Sequence, residues 1–141
     1  MGKIKKPDKK PRGNIPRKTD LKDRYLAFSF KHLDLQARGD FSLAHSKDGY
    51  AATLLERLRD MSSMTVDEFH KNRRSLRAHA IDWGRTSQPD GFLHLNEQLR
   101  NEPPWQFQLT SNEHGRVHGF FVGNIFYVVW LDPDHRLYPG K

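Results

Sequence analysis

The segment that most constrains the fold is residues 116–138, which read RVHGFFVGNIFYVVWLDPDHRLY. Two runs rich in β-branched and aromatic residues flank Gly123-Asn124, a pair typical of a tight two-residue turn. The segment therefore predicts a β-hairpin. Its register places Phe121 opposite Phe126 and Phe120 opposite Tyr127. Further from the turn, the same register places His118 opposite Val129 and Val117 opposite Trp130.

Side chains alternate along a strand, so the predicted hairpin has two different faces. One face is almost purely apolar and is expected to join the core: Val117, Phe121, Phe126, Val128 and Trp130. The other face carries Arg116, His118, Phe120 and Tyr127 beside Ile125 and Val129. We expect its cation, imidazole and phenol to lie on one open surface. A turn at Asp132-Pro133-Asp134 would bring His135, Arg136 and Tyr138 close to them.

Charge divides the chain into a basic tail and a nearly neutral body. With 141 residues, the chain is expected to form one domain over residues 21–141. Residues 1–20, which include Lys5, Lys6, Lys9 and Lys10, hold eight Lys or Arg against two Asp and almost no apolar residues. A disordered basic tail is expected there, either following RNA phosphates or acting as a solubilising leader.

The absence of cysteine excludes disulfides, thiolate catalysis and cysteine-based zinc sites. Neither a signal peptide nor a run of apolar residues long enough for a membrane span is evident. The sequence thus predicts a cytoplasmic protein with no membrane partner.

The order of elements predicts an α+β fold. Strands are expected over residues 24–30, 76–83 and 106–110, with an amphipathic helix over 47–60 and a long connection over 84–104. A second helix is expected from Val66 to about Asn72, because Thr65 and Glu68 have capping-box spacing. We therefore expect a helical hairpin packed on one face of a mainly antiparallel four- to five-stranded sheet. The opposite face would remain free to form a site.

Several kinds of catalytic site are not indicated. His114, His118 and His135 could meet in space, but the spacing of the first two suits a helix, whereas His118 lies in a predicted strand. No serine lies in a glycine-flanked elbow, no carboxylates are paired for glycoside chemistry, and no glycine-rich phosphate loop is present. We expect neither a metal nor a cofactor.

The remaining polar residues suit RNA cleavage through the 2′-hydroxyl. That reaction needs a base, an acid and fixed positive charge, which His and Arg supply. Aromatic side chains offer stacking surfaces for exposed bases. Arg77 and His79 could join the hairpin residues from a neighbouring strand. The alternative is that His118 and Tyr127 are half-buried sheet residues, with His135 and Arg136 merely solvated.

The arrangement and the ending of the chain resemble the RelE/ParE superfamily of bacterial toxins. The resemblance rests on Arg116 and Gly119 in one strand, Phe126-Tyr127-Val128-Val129 in the next, and the tail His135-Arg136-Leu137-Tyr138. It implies a RelE-like fold, either endoribonuclease or gyrase-poisoning activity, and a cognate antitoxin. The basic tail and the long 84–104 connection depart from the family pattern. The His, Arg and Tyr content favours the endoribonuclease branch.

The leading hypothesis is therefore a metal-independent endoribonuclease toxin that cleaves mRNA, with or without the ribosome. Arg116 and Arg136 would stabilise phosphate, His118 or His135 would transfer protons, and Tyr127 or Tyr138 would stack on bases or relay protons. One alternative is a non-catalytic module that binds RNA or the ribosome, or an accessory protein of a defence system. Another is a plain α+β protein with a small-molecule pocket.

Overall fold

The central element is one five-stranded mixed sheet. The computed structural model describes residues 24–35, 41, 48–110 and 115–138. The strands are β1 (Ala27–Ser29), β2 (His79–Ala80), β3 (Pro104–Gln108), β4 (Arg116–Val122) and β5 (Ile125–Asp132), in the order β1-β5-β4-β3-β2. β1 runs parallel to β5, and the other neighbours are antiparallel. The α+β prediction is confirmed. The sheet, however, is mixed and not mainly antiparallel, because β1 and β5 are neighbours that run in the same direction. Parallel neighbours need a long crossover connection, and here the helices and the other strands lie between β1 and β5 in sequence.

Two helices, α1 (Tyr50–Met61) and α2 (Val66–Lys71), cover one face of this sheet. The single turn α3 (Glu97–Arg100) lies in the 84–104 connection, and its Leu99 packs against a second cluster on the opposite face. The predicted capping box is present at the start of α2: the Glu68 amide donates to the Thr65 hydroxyl at 3.1 Å, and the Thr65 amide donates to the Glu68 carboxylate at 2.9 Å. Buried residues of α1 and α2 pack with β3, β4 and β5 into a first core cluster, which includes Leu54, Leu58, Phe69, Phe107, Val117, Phe126 and Val128.

The opposite face is also largely covered, which corrects the expectation that it is free. A second core cluster lies there: Phe41, Ile81, Phe92, Leu95, Phe120, Val129, Trp130 and Leu137. Phe92 and Leu95 come from the 84–104 connection, which was expected only to span a gap. Trp130 stacks on Phe41 at 4.9 Å and donates its indole N–H to Asp34 at 3.0 Å. The long connection therefore builds the second half of the core.

A β-bulge changes the predicted hairpin register. Near the turn, the pairs Phe121–Phe126 and Phe120–Tyr127 are as predicted, and Gly123 has a φ of 63°. The register then shifts between His118 and Gly119, so that His118 lies opposite Trp130 and not Val129. An extra residue on one strand reverses the faces of the residues beyond it. This places Trp130 in the second cluster and Leu131 in the first.

Other elements differ in extent from the sequence prediction. The strand expected over 76–83 is reduced to His79–Ala80, and Arg77 before it has a φ of 48°. Lys5, Lys6, Lys9, Lys10 and His114 lie outside the described residues, as does the predicted disordered tail. None of the helices in the described part of the chain has the length and apolar character needed to cross a membrane.

Gly119 offers a direct test of the tight packing beside the bulge. A Cβ at this position would overlap the Tyr127 carbonyl oxygen and the Phe126 ring. We expect Gly119→Ala to lower the free energy of unfolding by about 1–3 kcal/mol, measured by urea denaturation. Gly84→Ala is the control, because its Cβ would meet only Asp82 Oδ1, at 3.5 Å. Equal stability of the two variants would contradict the close approach of β4 and β5 at Gly119.

Candidate phosphate-binding site

A cationic pocket opens where β2, β3 and β4 meet the C-terminal tail. Its volume is about 450 Å³. It is lined by Arg73, Arg77, Arg85, Arg116, His79, His135 and Tyr138, together with Gln106 and Ala78. None of these residues is acidic, so the lining is a site for an anion.

Strand pairing brings the polar side chains to this end of the sheet. His79 of β2 lies opposite Gln106 of β3, which in turn lies opposite His118 of β4. In the next row, Arg116 lies between Gln108 and Asp132. All of these positions on β3, β4 and β5 are buried. The sheet therefore carries a polar end beside its second apolar cluster.

The buried carboxylate of Asp132 organises the tail that completes the pocket. One oxygen accepts the Arg136 amide at 2.7 Å, and the other accepts the Leu137 amide at 2.9 Å. The Asp132 carbonyl accepts the His135 amide at 3.1 Å. These bonds close the chain into a turn at the end of β5, and this turn brings His135 into the pocket lining.

Further hydrogen bonds fix the tail against the 84–104 connection and the segment before it. The Tyr138 hydroxyl accepts the Asp82 amide at 2.9 Å, and the Tyr138 ring lies 5.6 Å from that of His79. The Leu137 carbonyl accepts the Ser87 amide at 2.7 Å. One wall of the pocket is therefore built from segments 50 residues apart in sequence.

Two lining residues have backbone conformations that L-residues rarely adopt. Arg77 has a φ of 48° and His135 a φ of 56°. Such conformations cost on the order of 1–3 kcal/mol and cluster at functional sites. Both turns are held by several hydrogen bonds, from Asp132 around His135 and from Asn72 around Leu76 and Ala78. Both residues line the same pocket.

The guanidinium groups are not neutralised by the described part of the chain. The ion pairs formed among these residues involve none of the four lining arginines. Burial, followed by the charge of Arg77, lowers the pKa of Arg116, although Asp132 opposes the shift. Burial also lowers the pKa of His135, and Arg116, Arg77 and His79 add to the effect. These effects favour the neutral form of His135.

The second lining imidazole, His79, is oriented by its own strand. Its Nδ1 lies 2.8 Å from the Ala80 carbonyl oxygen, which makes Nδ1 the protonated nitrogen. Nε2 is then left for proton transfer. The site thus contains two imidazoles, one favoured in its neutral form and one held in a defined tautomer.

His118 does not line the pocket and is fully buried beneath it. Its Nε2 lies 3.1 Å from Gln106 Oε1 and 3.6 Å from Asp132 Oδ2, and Nδ1 has no hydrogen-bond partner among the described residues. Burial, aided by His135, Arg116 and His79, lowers the pKa of His118 to about 3. The common open surface expected for Arg116, His118 and Tyr127 is therefore not formed.

The remaining predicted site residues divide into two groups. Arg116, His135, Tyr138, Arg77 and His79 come together in the pocket. Tyr127 instead stacks on Phe120 at 5.2 Å and lies 5.4 Å from the His32 ring, while Arg136 is exposed and outside the lining.

Sequence reasoning missed three polar lining residues: Arg73, Arg85 and Gln106. Arg73 lies in an irregular segment and Arg85 at the end of a single 3₁₀ turn, Trp83–Arg85, so no periodicity predicts the direction of either side chain. Gln106 gave a usable signal, since it alternates with the inward-facing Phe107 and must point to the opposite face. No group of three His, Asp or Glu within the described ranges is arranged to hold a metal ion.

The buried His118 should make stability depend on pH. In the unfolded chain this imidazole takes up a proton as the pH falls through its ordinary pKa of about 6.5, whereas the folded protein resists protonation. Its contribution to stability is therefore fully present above pH 6.5 and is lost progressively as the pH falls towards 3.

We expect His118→Gln to reduce the pH slope of the unfolding free energy at pH 5 by about 1.4 kcal/mol per pH unit, since one fewer proton is bound on unfolding. Urea unfolding of both proteins between pH 5 and 7.5 measures the slope. Parallel stability curves would contradict the neutral, buried imidazole.

Comparison with known proteins assigns no family. No protein-family model, curated protein or solved structure matches the chain. The function must therefore be inferred from the chemistry of the side chains that meet in the pocket.

Proposed function

We propose that the protein is a metal-independent endoribonuclease that cleaves RNA through its own 2′-hydroxyl. The observation that carries the proposal is the presence of two imidazoles inside one pocket lined by four arginines. This set of groups supplies a base, an acid and fixed positive charge without any other component.

The arginines would hold the scissile phosphate. A guanidinium donates two parallel hydrogen bonds to phosphate oxygens, and it stays charged throughout the reaction. Arg116 is buried, and the like charge of the nearby Arg77 disfavours its charged form further. A phosphate, and still more the crowded phosphorane of the transition state, would relieve this repulsion.

The two histidines would divide the proton transfers. His135, whose neutral form is favoured, would accept the proton of the 2′-hydroxyl. His79 would act in its doubly protonated form: Nδ1–H donates to the Ala80 carbonyl, and the second proton, on Nε2, is delivered to the leaving 5′-oxygen. The products would be a 2′,3′-cyclic phosphate and a free 5′-hydroxyl. Tyr138 would offer a ring to an adjacent base.

The order of strand, two helices and four further strands, with a terminal His-Arg-x-Tyr, supports the RelE-like hypothesis of a toxin acting on mRNA in the cytoplasm. In that setting the antitoxin would be the protein partner and would cover the pocket. Toxin action, ribosome dependence and the antitoxin are all part of the proposal.

A non-catalytic RNA-binding protein is the second candidate. It is favoured by the exposed Arg74 beside Arg73, and by eight Lys or Arg within residues 1–20. Arg74 adds positive charge next to Arg73 of the lining, and the basic composition of residues 1–20 suits contact with several phosphates of one strand. This candidate differs from the first in predicting salt-sensitive binding without cleavage.

The test is cleavage of an end-labelled single-stranded RNA by the full chain in excess EDTA. We expect His135→Ala and His79→Ala each to reduce the cleavage rate about 10²–10⁴-fold, because each removes one proton-transfer group. His94→Ala is the matched control, since His94 contacts His32 and Asp34 outside the pocket. The His135 variant should also relieve any growth arrest caused by expression.

Two outcomes would contradict this assignment. Wild-type rates in both pocket variants would exclude His79 and His135 as the proton-transfer groups. Binding of the RNA without cleavage, weakened by salt and by removal of residues 1–20, would instead select the RNA-binding candidate.

A further inference from the structure

We propose that Gln106 is a phosphate-binding residue whose amide nitrogen donates to an oxygen of the bound anion, with His118 as the positioning residue that sets the direction of the amide. The inference builds on the proposed function, but it requires only that the pocket bind phosphate. It adds an uncharged donor to the arginines of the site.

The position of Gln106 places it at the floor of the pocket. It lies in the middle of a cross-strand row, between His79 of β2 and His118 of β4. Its side chain lines the pocket although only 3% of the residue is exposed. It is therefore a buried polar group whose remaining open side faces the cavity.

The hydrogen bond to His118 determines which end of the amide faces the cavity. Neutral His118 carries one N–H, and its Nε2 lies close to two oxygens, Gln106 Oε1 at 3.1 Å and Asp132 Oδ2 at 3.6 Å. A proton on Nε2 can be donated to Gln106 Oε1 and also faces the Asp132 carboxylate. Because Oε1 of Gln106 accepts this proton, the amide nitrogen of Gln106 is the atom that faces the pocket.

The flipped arrangement is physically worse. It would put the His118 proton on Nδ1, which has no acceptor among the described residues. It would also point the Nε2 lone pair towards the Asp132 carboxylate. Nδ1 lacks a partner in both arrangements, so the difference lies at Nε2. The first arrangement prevails because it turns a proton, and not a lone pair, towards the Asp132 carboxylate.

The amide nitrogen of Gln106 has no hydrogen-bond partner within the described chain. The hydrogen bond that this side chain makes there joins its Oε1 to His118 Nε2. The neighbouring Gln108 provides the contrast, because its amide nitrogen donates to the Ser75 carbonyl at 2.8 Å. Unlike Nδ1 of His118, the Gln106 nitrogen is not among the fully buried atoms without a partner, so it is open to the cavity and can donate to a bound molecule. In a pocket with no acidic lining, the acceptor that fits is an oxygen of the anion itself.

The test is calorimetric titration of the full chain with inorganic phosphate. We expect Gln106→Met, which preserves length but removes the donor, to weaken phosphate binding about tenfold. Gln106→Glu should weaken it further, because it keeps an acceptor for His118 but turns a carboxylate towards the anion. Gln98→Met, at an exposed position on α3, is the control and should bind as wild type.

The role of His118 is tested by a double-mutant cycle. His118→Met should weaken phosphate binding in the wild-type background but have almost no further effect in the Gln106→Met background, because both changes remove one interaction. A merely structural role for His118 would give additive losses. Additive losses would overturn its assignment as a positioning residue.

A measurement on the wild type keeps the inference testable even if a variant fails to fold. The side-chain amide resonances of Gln106 should shift on phosphate titration in an ¹H–¹⁵N spectrum, whereas those of Gln98 should not. Unshifted Gln106 resonances in the phosphate-bound protein, phosphate affinity unchanged in Gln106→Met, or no phosphate binding by the wild type would each overturn the inference. The cleavage assay of His135→Ala tests only the proposed reaction, and the phosphate titrations test only the role of Gln106. The proposed reaction and the proposed phosphate contact can therefore fail separately.

Discussion

The pocket depends on the hydrogen bonds that the buried Asp132 carboxylate makes with the chain following it. Its oxygens accept the amides of Arg136 and Leu137, so the end of β5 turns back over the sheet. This turn supplies His135 to the lining, and it leads Tyr138 to the Asp82 amide. Buried carboxylates are tolerated when they are hydrogen-bonded in this way. The same interaction therefore solvates the acid and builds the site.

The covering of both sheet faces explains where a site can form. Helices α1 and α2 bury one face, and the 84–104 connection buries much of the other through Phe92 and Leu95. Among the described residues, a pocket opens at the end near β2, and the polar row of His79, Gln106 and His118 lies there. The bulge between β4 and β5 has a matching effect, since it turns Trp130 into the second cluster beside His118. As a result, the candidate site does not lie on the open face that the sequence predicted for the hairpin. It lies at the end of the sheet, where β2, β3 and β4 meet the C-terminal tail.

The features predicted correctly from sequence are those set by local chemistry. The Gly123-Asn124 turn, the capping box of α2 and the amphipathic helix α1 each depend on residues close in sequence. The bulge and the burial of His118 could not be predicted, because they depend on the packing of Trp130 against distant Phe41 and Phe92. For the same reason, Arg116, His135 and Tyr138 were identified as site candidates, whereas Arg73 and Arg85 were not.

The most direct test of this account is amide hydrogen exchange of the tail in wild type and Asp132→Asn. In the wild type, the amides of Arg136 and Leu137 should be protected, because both donate to the buried carboxylate. In Asp132→Asn, the new side chain would keep one accepting oxygen and replace the other by an NH₂ group, so at least one of the two amides should lose its protection while the β4 amides keep theirs. Free exchange of both amides in the wild type, or unchanged protection in Asp132→Asn, would contradict the claim that Asp132 builds the pocket.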